Sequence, residues 1–329
     1  MTTATASRTT GTAAAKPLLS VILPTFDGEA FLGHALDSVV DEAARHDPDL
    51  LDVVVVDDRS TDGSVELARS YTDRLPLRIL RREGPRGWVA GTNEGLAAAE
   101  GRFACFLHQD DAWLPGRLDA FLHHLDRDPR LDLSLSAARF IDADDRPVGR
   151  WRCPLPATDA LDPAMLFERL LVQNFIAIPA PIFRLDPTAR LDEALWYTAD
   201  WDFWLRRASL GARIAYDAEP RVVFRIHPNS QTVSRSVAAG DFRRQLETPL
   251  ARHLPRAAHS ATSRAARFSV EINLALAARA HGQPVDLGRL AVAGLKLGPG
   301  GLGRVLRDAR LVERIVPRLR LLRRAAHSR

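Results

Sequence analysis

Leu51-Asp52-Val53-Val54-Val55-Val56-Asp57-Asp58-Arg59-Ser60-Thr61-Asp62-Gly63-Ser64 decides the fold. The run from Leu51 to Val56, rich in β-branched residues, reads as a parallel strand buried on both faces, and the polar cluster that follows ends the strand before a helical segment near Val65 to Tyr71. The same order of strand, polar loop and helix recurs on either side. Upstream, Leu18 to Leu23 stops at Pro24-Thr25-Phe26-Asp27-Gly28, after which Phe31, Leu32, Leu36, Val39, Val40 and Ala43 fall at helical spacing. Downstream, Leu77 to Leu80 precedes a loop and a helix from about Val89 to Ala99, and Phe103 to Leu107 ends in His108-Gln109-Asp110-Asp111. These repeats predict an α/β chain with a doubly wound, parallel sheet, because parallel neighbours need crossovers and the crossovers here are helical. Ligands of such sheets sit beyond the carboxyl ends of the strands. The polar clusters after Leu23, Val56 and Leu107 are therefore expected to converge on one crevice.

The second half is less regular. A helix is expected at Pro163 to Val172, an extended stretch around Pro181 to Arg184, an aromatic helix from Asp200 to Leu210, and strands near Arg213 to Tyr216 and Val222 to Ile226; from about Gly240 the pattern is helical. Asp142, Asp144 and Asp145 read as a polar hairpin turn. Residues 1–16, rich in Thr, Ala, Ser and Gly, lack the apolar core of a secretory signal and read as a disordered leader.

Of the 329 residues, 46% are hydrophobic and 26% charged, which excludes collagenous and disordered chains. The two cysteines, Cys105 in an apolar run and Cys153 between Arg152 and Pro154, form no disulfide framework, and point to a reducing, cytoplasmic setting. Apolar stretches fall far short of the roughly 20 residues needed to span a bilayer. The net charge of +4 is uneven: residues 301–329 hold nine Arg against Asp308 and Glu313, so the remainder carries −3. A nucleic-acid-binding core is thereby disfavoured. Within that tail Leu302, Val305, Leu306, Ala309, Val312, Ile315, Val316, Leu319 and Leu322 recur at three- and four-residue spacing, a basic amphipathic helix divided at Pro317. Two readings stand open for it: an anionic membrane surface at the inner face of the cell membrane, or packing on its own domain or on a second copy.

Acidic pairs directly after two buried strands are costly unless compensated. Capping of the next helix is one use for Asp57 and Asp58, although Asp62 or Ser60 could serve equally. Two acidic strand ends in one crevice also suit a hard divalent cation, Mg²⁺ or Mn²⁺, which commonly completes its shell with substrate phosphates.

Four separated blocks resemble the nucleotide-sugar-dependent glycosyltransferases of family 2, with the GT-A fold: Ser20 to Phe26, Val53 to Ser64, Gly87 to Gly95 with Asn93-Glu94-Gly95, and His108 to Trp113. Asp200-Trp201-Asp202 and Arg225-Ile226-His227 extend the resemblance to about residue 235. It implies a GT-A domain over 17–239, with a nucleotide-binding half to about 112 and an acceptor half from 113, followed by a helical C-terminal region over 240–329. It also implies that a sugar moves from a nucleoside diphosphate to a hydroxyl of a saccharide, lipid-linked or small-molecule acceptor, with inversion.

The resemblance further assigns roles. Pro24, Thr25 and Phe26 would receive the nucleotide together with Asn93; Asp58 would accept from the base; Asp110 would contact ribose or metal; Asp111 and His227 would meet the cation. Asp200 would be the catalytic base, its alternative being the N-cap of the aromatic helix. Asn174, Trp196, Trp201 and Asp202 would lie on the acceptor side. Two positions depart from the family pattern: His108 where relatives have the first acid of the metal signature, and Ala199 where they often have Glu. A nucleotidyltransferase is the rival enzyme, but Pro24 to Gly28 offers no Lys or Arg for a phosphate loop. A non-catalytic nucleotide-sugar binder or scaffold is the rival outside enzymes.

Overall fold

The computed structural model describes residues 16–227, 239–280, 282–311 and 313. The leader up to residue 15, and the tail at 312 and from 314 on, lie outside the described residues.

The first half follows the expected alternation. Strands β1 (Leu19–Thr25), β2 (Leu51–Asp57), β3 (Leu77–Arg81) and β4 (Phe103–Phe106) alternate with helices α1 (Glu29–Ala43), α2 (Ser64–Arg69) and α3 (Trp88–Ala98). The strands pair in parallel as β3-β2-β1-β4, with Leu23 opposite Val55 and Thr25 opposite Asp57. All seven residues of β1 and of β2 are buried. Side chains of a strand alternate between faces, so Val53 and Val55 join a core under α1 and α2, while Val54 and Val56 join the one beneath α3. Asp52 interrupts the run without penalty because Ser20 Oγ donates to it at 2.7 Å and Arg78 at 2.7 Å. Gly95 lets α3 lie directly on β1: a Cβ there would sit 2.4 Å from Ile22 Cγ2.

The second half continues the same sheet with β5 (Ala112–Trp113), β6 (Leu133–Ile141), β7 (Pro147–Trp151), β8 (Thr158–Leu161), β9 (Ile182–Arg184) and β10 (Ile214–Arg225), and with helices α4 (Arg117–Arg127), α5 (Pro163–Val172) and α6 (Ala199–Ser209). The ten strands run β3-β2-β1-β4-β9-β6-β10-β5, with β7 on β6 and β8 on β10. Here β9 is antiparallel to both β4 and β6, and β6 is parallel to β10. The segment expected to form two strands is one, β10. Its register slips between Asp217 and Val222 while it stays paired with β6, because Pro220 has no N–H to donate. The hairpin turn at 142–146 forms as read: Asp142 Oδ1 accepts from Asp144 N and Arg146 N.

Helices α7 (Ala239–His253), α8 (Ser260–Ala280), α9 (Leu287–Leu295) and α10 (Gly298–Asp308) complete the described chain. Helix α8 packs on α5 and α7 and carries α9 and α10. The tail begins as a helix packed on the protein's own fold: Val305 and Ala309 join Val172, Ala265 and Leu297 in a small core, while Leu302 and Leu306 face outward. No described helix is long and apolar enough to cross a membrane.

Candidate active site

The polar clusters after β1, β2 and β4 do share one crevice. It is a cleft of about 580 Å³ lined by Pro24, Thr25 and Phe26, by Asp58, by Arg86 to Trp88, by His108 to Asp111, by Gln173 and Asn174, by Trp196 to Thr198 with Asp200 and Trp201, and by Arg225 to His227. Its size suits a small-molecule ligand.

The first wall is built on Phe26 and Asp58. The Arg86 guanidinium lies 4.2 Å from the Phe26 ring centroid. Gln109 fixes the backbone beneath the ring: its Oε1 accepts from Phe26 N and from Thr25 Oγ1, both at 2.7 Å, and its Nε2 donates to Phe26 O at 3.1 Å. Asp58 accepts from Arg82 Nη1 at 2.8 Å and from Gly87 N at 2.7 Å, so a buried cation and a backbone amide hold its carboxylate at the cleft wall. Asp57 points elsewhere, accepting from Ser60 N and Arg81, and Asp62 serves the start of α2 through Ser64 N.

The second wall is acidic. One ligand atom from each of His108, Asp110 and Asp111 lies within 4.8 Å of the others, the sole such group of three among the described residues. Asp111 is 2% exposed; its Oδ1 accepts from Arg225 N at 3.0 Å, and its Oδ2 has no hydrogen-bond partner. His108 Nε2 is likewise buried without one. Burial and then the charge of Asp110 push the Asp111 carboxyl well above its ordinary range. Burial acts against Asp110 too, but the His227 hydrogen bond, at 2.9 Å, and the nearby His108 hold that carboxyl below its usual value. Burial lowers His108, against the opposing pull of the Asp110 charge. Orphaned buried polar atoms of this kind are costly, and a nitrogen with two carboxylates is a donor set that a divalent cation would satisfy.

The third wall carries Asp200, at the second position of α6. The helix starts at Ala199, with Thr198 as its N-cap residue. Asp200 is therefore not the cap. Its Oδ2 accepts from Asn174 Nδ2 at 2.9 Å, and burial pushes its carboxyl up to about 6 against that hydrogen bond. Behind Asn174 a buried polar chain continues: Gln173 Nε2 donates to Asn174 O, and Gln173 Oε1 accepts from Ser269 and Asn273 of α8.

Residues 20–169 match the model for Glycosyl transferase family 2. The chain resembles the family 2 glycosyltransferases. An uncharacterized glycosyltransferase of Rickettsia prowazekii is 24% identical over 222 residues, 66% of each chain, and another of Methanocaldococcus jannaschii is 23% identical over 193 residues, 58% of this chain and 64% of its own. The match thus spans slightly less than two thirds of these relatives' length. Among solved structures, TarS 1–349 of S. aureus, in complex with UDP-GlcNAc, superposes with a TM-score of 0.58 at 20% identity, covering 89% of this chain and 91% of that one. The mannosyltransferase PcManGT of Pyrobaculum calidifontis, in complex with GDP-Man and Mn²⁺, gives 0.50 at 18% identity, covering 93% and 88%. The fold is GT-A, with C-terminal helices added.

Measured against the glycosyltransferase pattern, most expected site residues meet in the cleft and two do not. Asn93 lies outside its lining: its amide nitrogen donates to Leu191 O and Glu193, and its oxygen accepts from Leu191 N, which spends the side chain on pinning the 191–193 loop to α3. Asp202, 2% exposed, lies on the far side of α6, paired with Arg206, Arg252 and His253, and joins that helix to α7. At 100° per residue, position 202 cannot share the face of 200. Of the aromatic pair, Trp196 is partly exposed and donates to Asp241, whereas Trp201 is 4% exposed and donates to Leu170 O, so it walls the cleft from below.

Sequence reasoning missed Gln109, Arg225, Gln173 and Asn273. Arg225, 2% exposed, donates to Asp110 O, Asp142 O and Asp145, and holds the acidic turn from beneath. Gln109, three residues past β4, and Arg225, the last residue of β10, are long polar side chains at strand ends, and that was the available signal. Asn273 offered none, lying 64 residues beyond Ser209 at the end of the aromatic helix.

Proposed function

We propose that the protein is an inverting glycosyltransferase that moves a sugar from a nucleoside-diphosphate donor to an acceptor hydroxyl. The observation that carries this reading is Asp200: a carboxylate raised to about 6 and aimed by Asn174 into the cleft whose other end is the acidic turn. A base of that strength is ionised at neutral pH yet takes a hydroxyl proton more readily than an ordinary carboxylate. Asp200 accepts the acceptor's proton as its oxygen attacks the anomeric carbon on the face opposite the diphosphate, a single displacement with inversion.

Phe26 offers an apolar face to the base and Asp58 an acceptor for its N–H, with Pro24 and Thr25 lining the same loop. Asp110 meets the ribose or the cation, and Asp111, His108 and His227 border the diphosphate. The orphaned Asp111 Oδ2 and His108 Nε2 fit a divalent ion, Mg²⁺ or Mn²⁺, which when bound would neutralise charge on the leaving nucleoside diphosphate. Binding of UDP-GlcNAc by TarS, and of GDP-Man and Mn²⁺ by PcManGT, supports a donor and an ion of these kinds. The acceptor, a saccharide, lipid-linked or small molecule, enters past Asn174, Trp196 and Trp201. In this reading the donor half runs to about residue 112 and the acceptor half to 239, and the chain works in the cytoplasm.

A thermal-shift screen of UDP, GDP and their sugar conjugates, with and without Mn²⁺, tests the donor assignment. A ligand that binds only the folded state raises the melting temperature by mass action. One nucleotide sugar should do so in a metal-dependent way; no shift with any of them would overturn the reading.

A further inference from the structure

Five of the six large hydrophobic side chains that are exposed among the described residues fall within residues 287–306: Leu287 at 69%, Val292 at 50%, Leu295 at 87%, Leu302 at 49% and Leu306 at 72%. Singly, an exposed leucine needs no explanation. Here they are organised. In α9 the residues turned toward α8 are the smaller or less exposed ones, Leu290, Ala293 and Gly294, while Leu287, Ala291, Val292 and Leu295 occupy one outward arc at 100° per residue. Arg289 and Lys296 border that arc. Helix α10 repeats the arrangement: Val305 is buried, and Leu302 and Leu306 stand one turn apart on the exposed side next to Arg307. Leu297, 5% exposed, anchors the joint between the two helices in the small core on α8.

The charge of this part of the sequence indicates what covers the face. From residue 286 to the end the sequence holds eleven Lys and Arg against Asp286, Asp308 and Glu313, a balance of +8, with six of those Arg lying beyond the described residues. Within the described residues the acids are paired, Asp286 with Arg289, Asp308 with Arg307 and Glu313 with Arg310, and Arg304 meets Glu168, so most of the surplus belongs to the sequence that follows. A second copy of the chain would bring +8 against +8, and like charges oppose that contact. Residues 287–311 contain no aromatic side chain to stack on bases, which counts against a single-stranded nucleic acid. An apolar row edged by Arg and Lys matches the boundary between acyl chains and anionic headgroups, where each cation near the surface adds to the attraction.

We propose that α9 and α10 form a docking face for an anionic membrane, with Leu287, Leu295, Leu302 and Leu306 entering the interface and the basic residues meeting lipid phosphates. None of these residues lines the cleft, so the inference stands apart from the glycosyltransferase reading.

The test is flotation of the full chain with vesicles of phosphatidylcholine alone and of phosphatidylcholine mixed with phosphatidylglycerol, beside a variant carrying L287S, L295S, L302S and L306S. These side chains are exposed, so the variant should melt at the temperature of the parent. The parent should float with anionic vesicles and weaken in high salt, and the variant should bind at least tenfold more weakly. Any of three results would overturn the proposal: no flotation of the parent, equal flotation of parent and variant, or a parent that is dimeric in solution and a variant that is monomeric with no lipid binding by either. The second would assign lipid binding to charge alone, and the third would assign the face to self-association.

Discussion

Replacing Asp200 by Asn should stabilise the protein while abolishing its chemistry. Burial holds this carboxyl near 6 in the folded protein, against 3.8 for an ordinary aspartate. At about 1.4 kcal/mol per pKa unit the difference corresponds to about 3 kcal/mol. The sign follows from proton binding. Below pH 3.8 both folded and unfolded chains are protonated and nothing is lost. Between 3.8 and 6 the folded state keeps a proton that the unfolded state has released, so stability falls as pH rises, and above 6 the whole cost is present. Asn keeps the shape and an acceptor for Asn174 but never ionises. Since the carboxylate is only half-buried, solvent screening reduces the gain, and urea unfolding should show the variant more stable by ~1–2 kcal/mol at pH 7.5, with the difference vanishing near pH 4. Turnover, followed as nucleoside-diphosphate release, should fall by ~10²–10⁴, while donor affinity measured by calorimetry stays within twofold. The parent's kcat/KM should drop about tenfold from pH 7 to pH 5 as the base protonates. A stability difference that does not vary with pH, or turnover within threefold of the parent, would refute the reasoning.

Gln109→Ala removes three hydrogen bonds to the Phe26 loop, each worth ~1 kcal/mol; nucleotide affinity should weaken by about tenfold or more in calorimetry, with the acidic limb of the pH profile unmoved. His108→Asp replaces an imidazole by a hard oxygen donor. Mn²⁺ should be favoured over Mg²⁺ by the parent when binding is titrated in the presence of the nucleotide, and that preference should narrow in the variant; an unchanged ratio would place His108 outside the metal's reach. Arg225→Met leaves Asp110 O and Asp142 O without their buried donor and should cost ~3 kcal/mol in urea unfolding. A loss below ~1 kcal/mol would show that the acidic turn does not depend on it.

How much was legible beforehand differs between the two halves. Strands β1 to β4 were readable because each is a short apolar run closed by Gly, Pro or acidic residues, with helical periodicity between them. Strand β6 was not: Leu133-Ser134-Leu135-Ser136-Ala137-Ala138 carries Ser and Ala, which contribute little β preference of their own and are held by the neighbours β9 and β10. The site divided in the same way. Phe26, Asp58, Asp110, Asp111 and Asp200 stood in local blocks, whereas the uses of Asn93 and Asp202 depend on where Leu191 and His253 come to rest.

By itself, then, the sequence determined the alternation of strands and helices, the carboxyl ends at which polar groups gather, and the cationic character of the chain's last segment, since all three are properties of residues near one another along the chain. Tertiary structure decided which acids face the cleft and which are spent on ion pairs, that Gln173 and Asn273 stand behind Asn174, and that α9 turns Leu287 and Leu295 outward. Those outcomes depend on contacts between residues up to about a hundred positions apart, as from Gln173 to Asn273. Burial, partner and pKa are set by such contacts and are not properties of any residue alone.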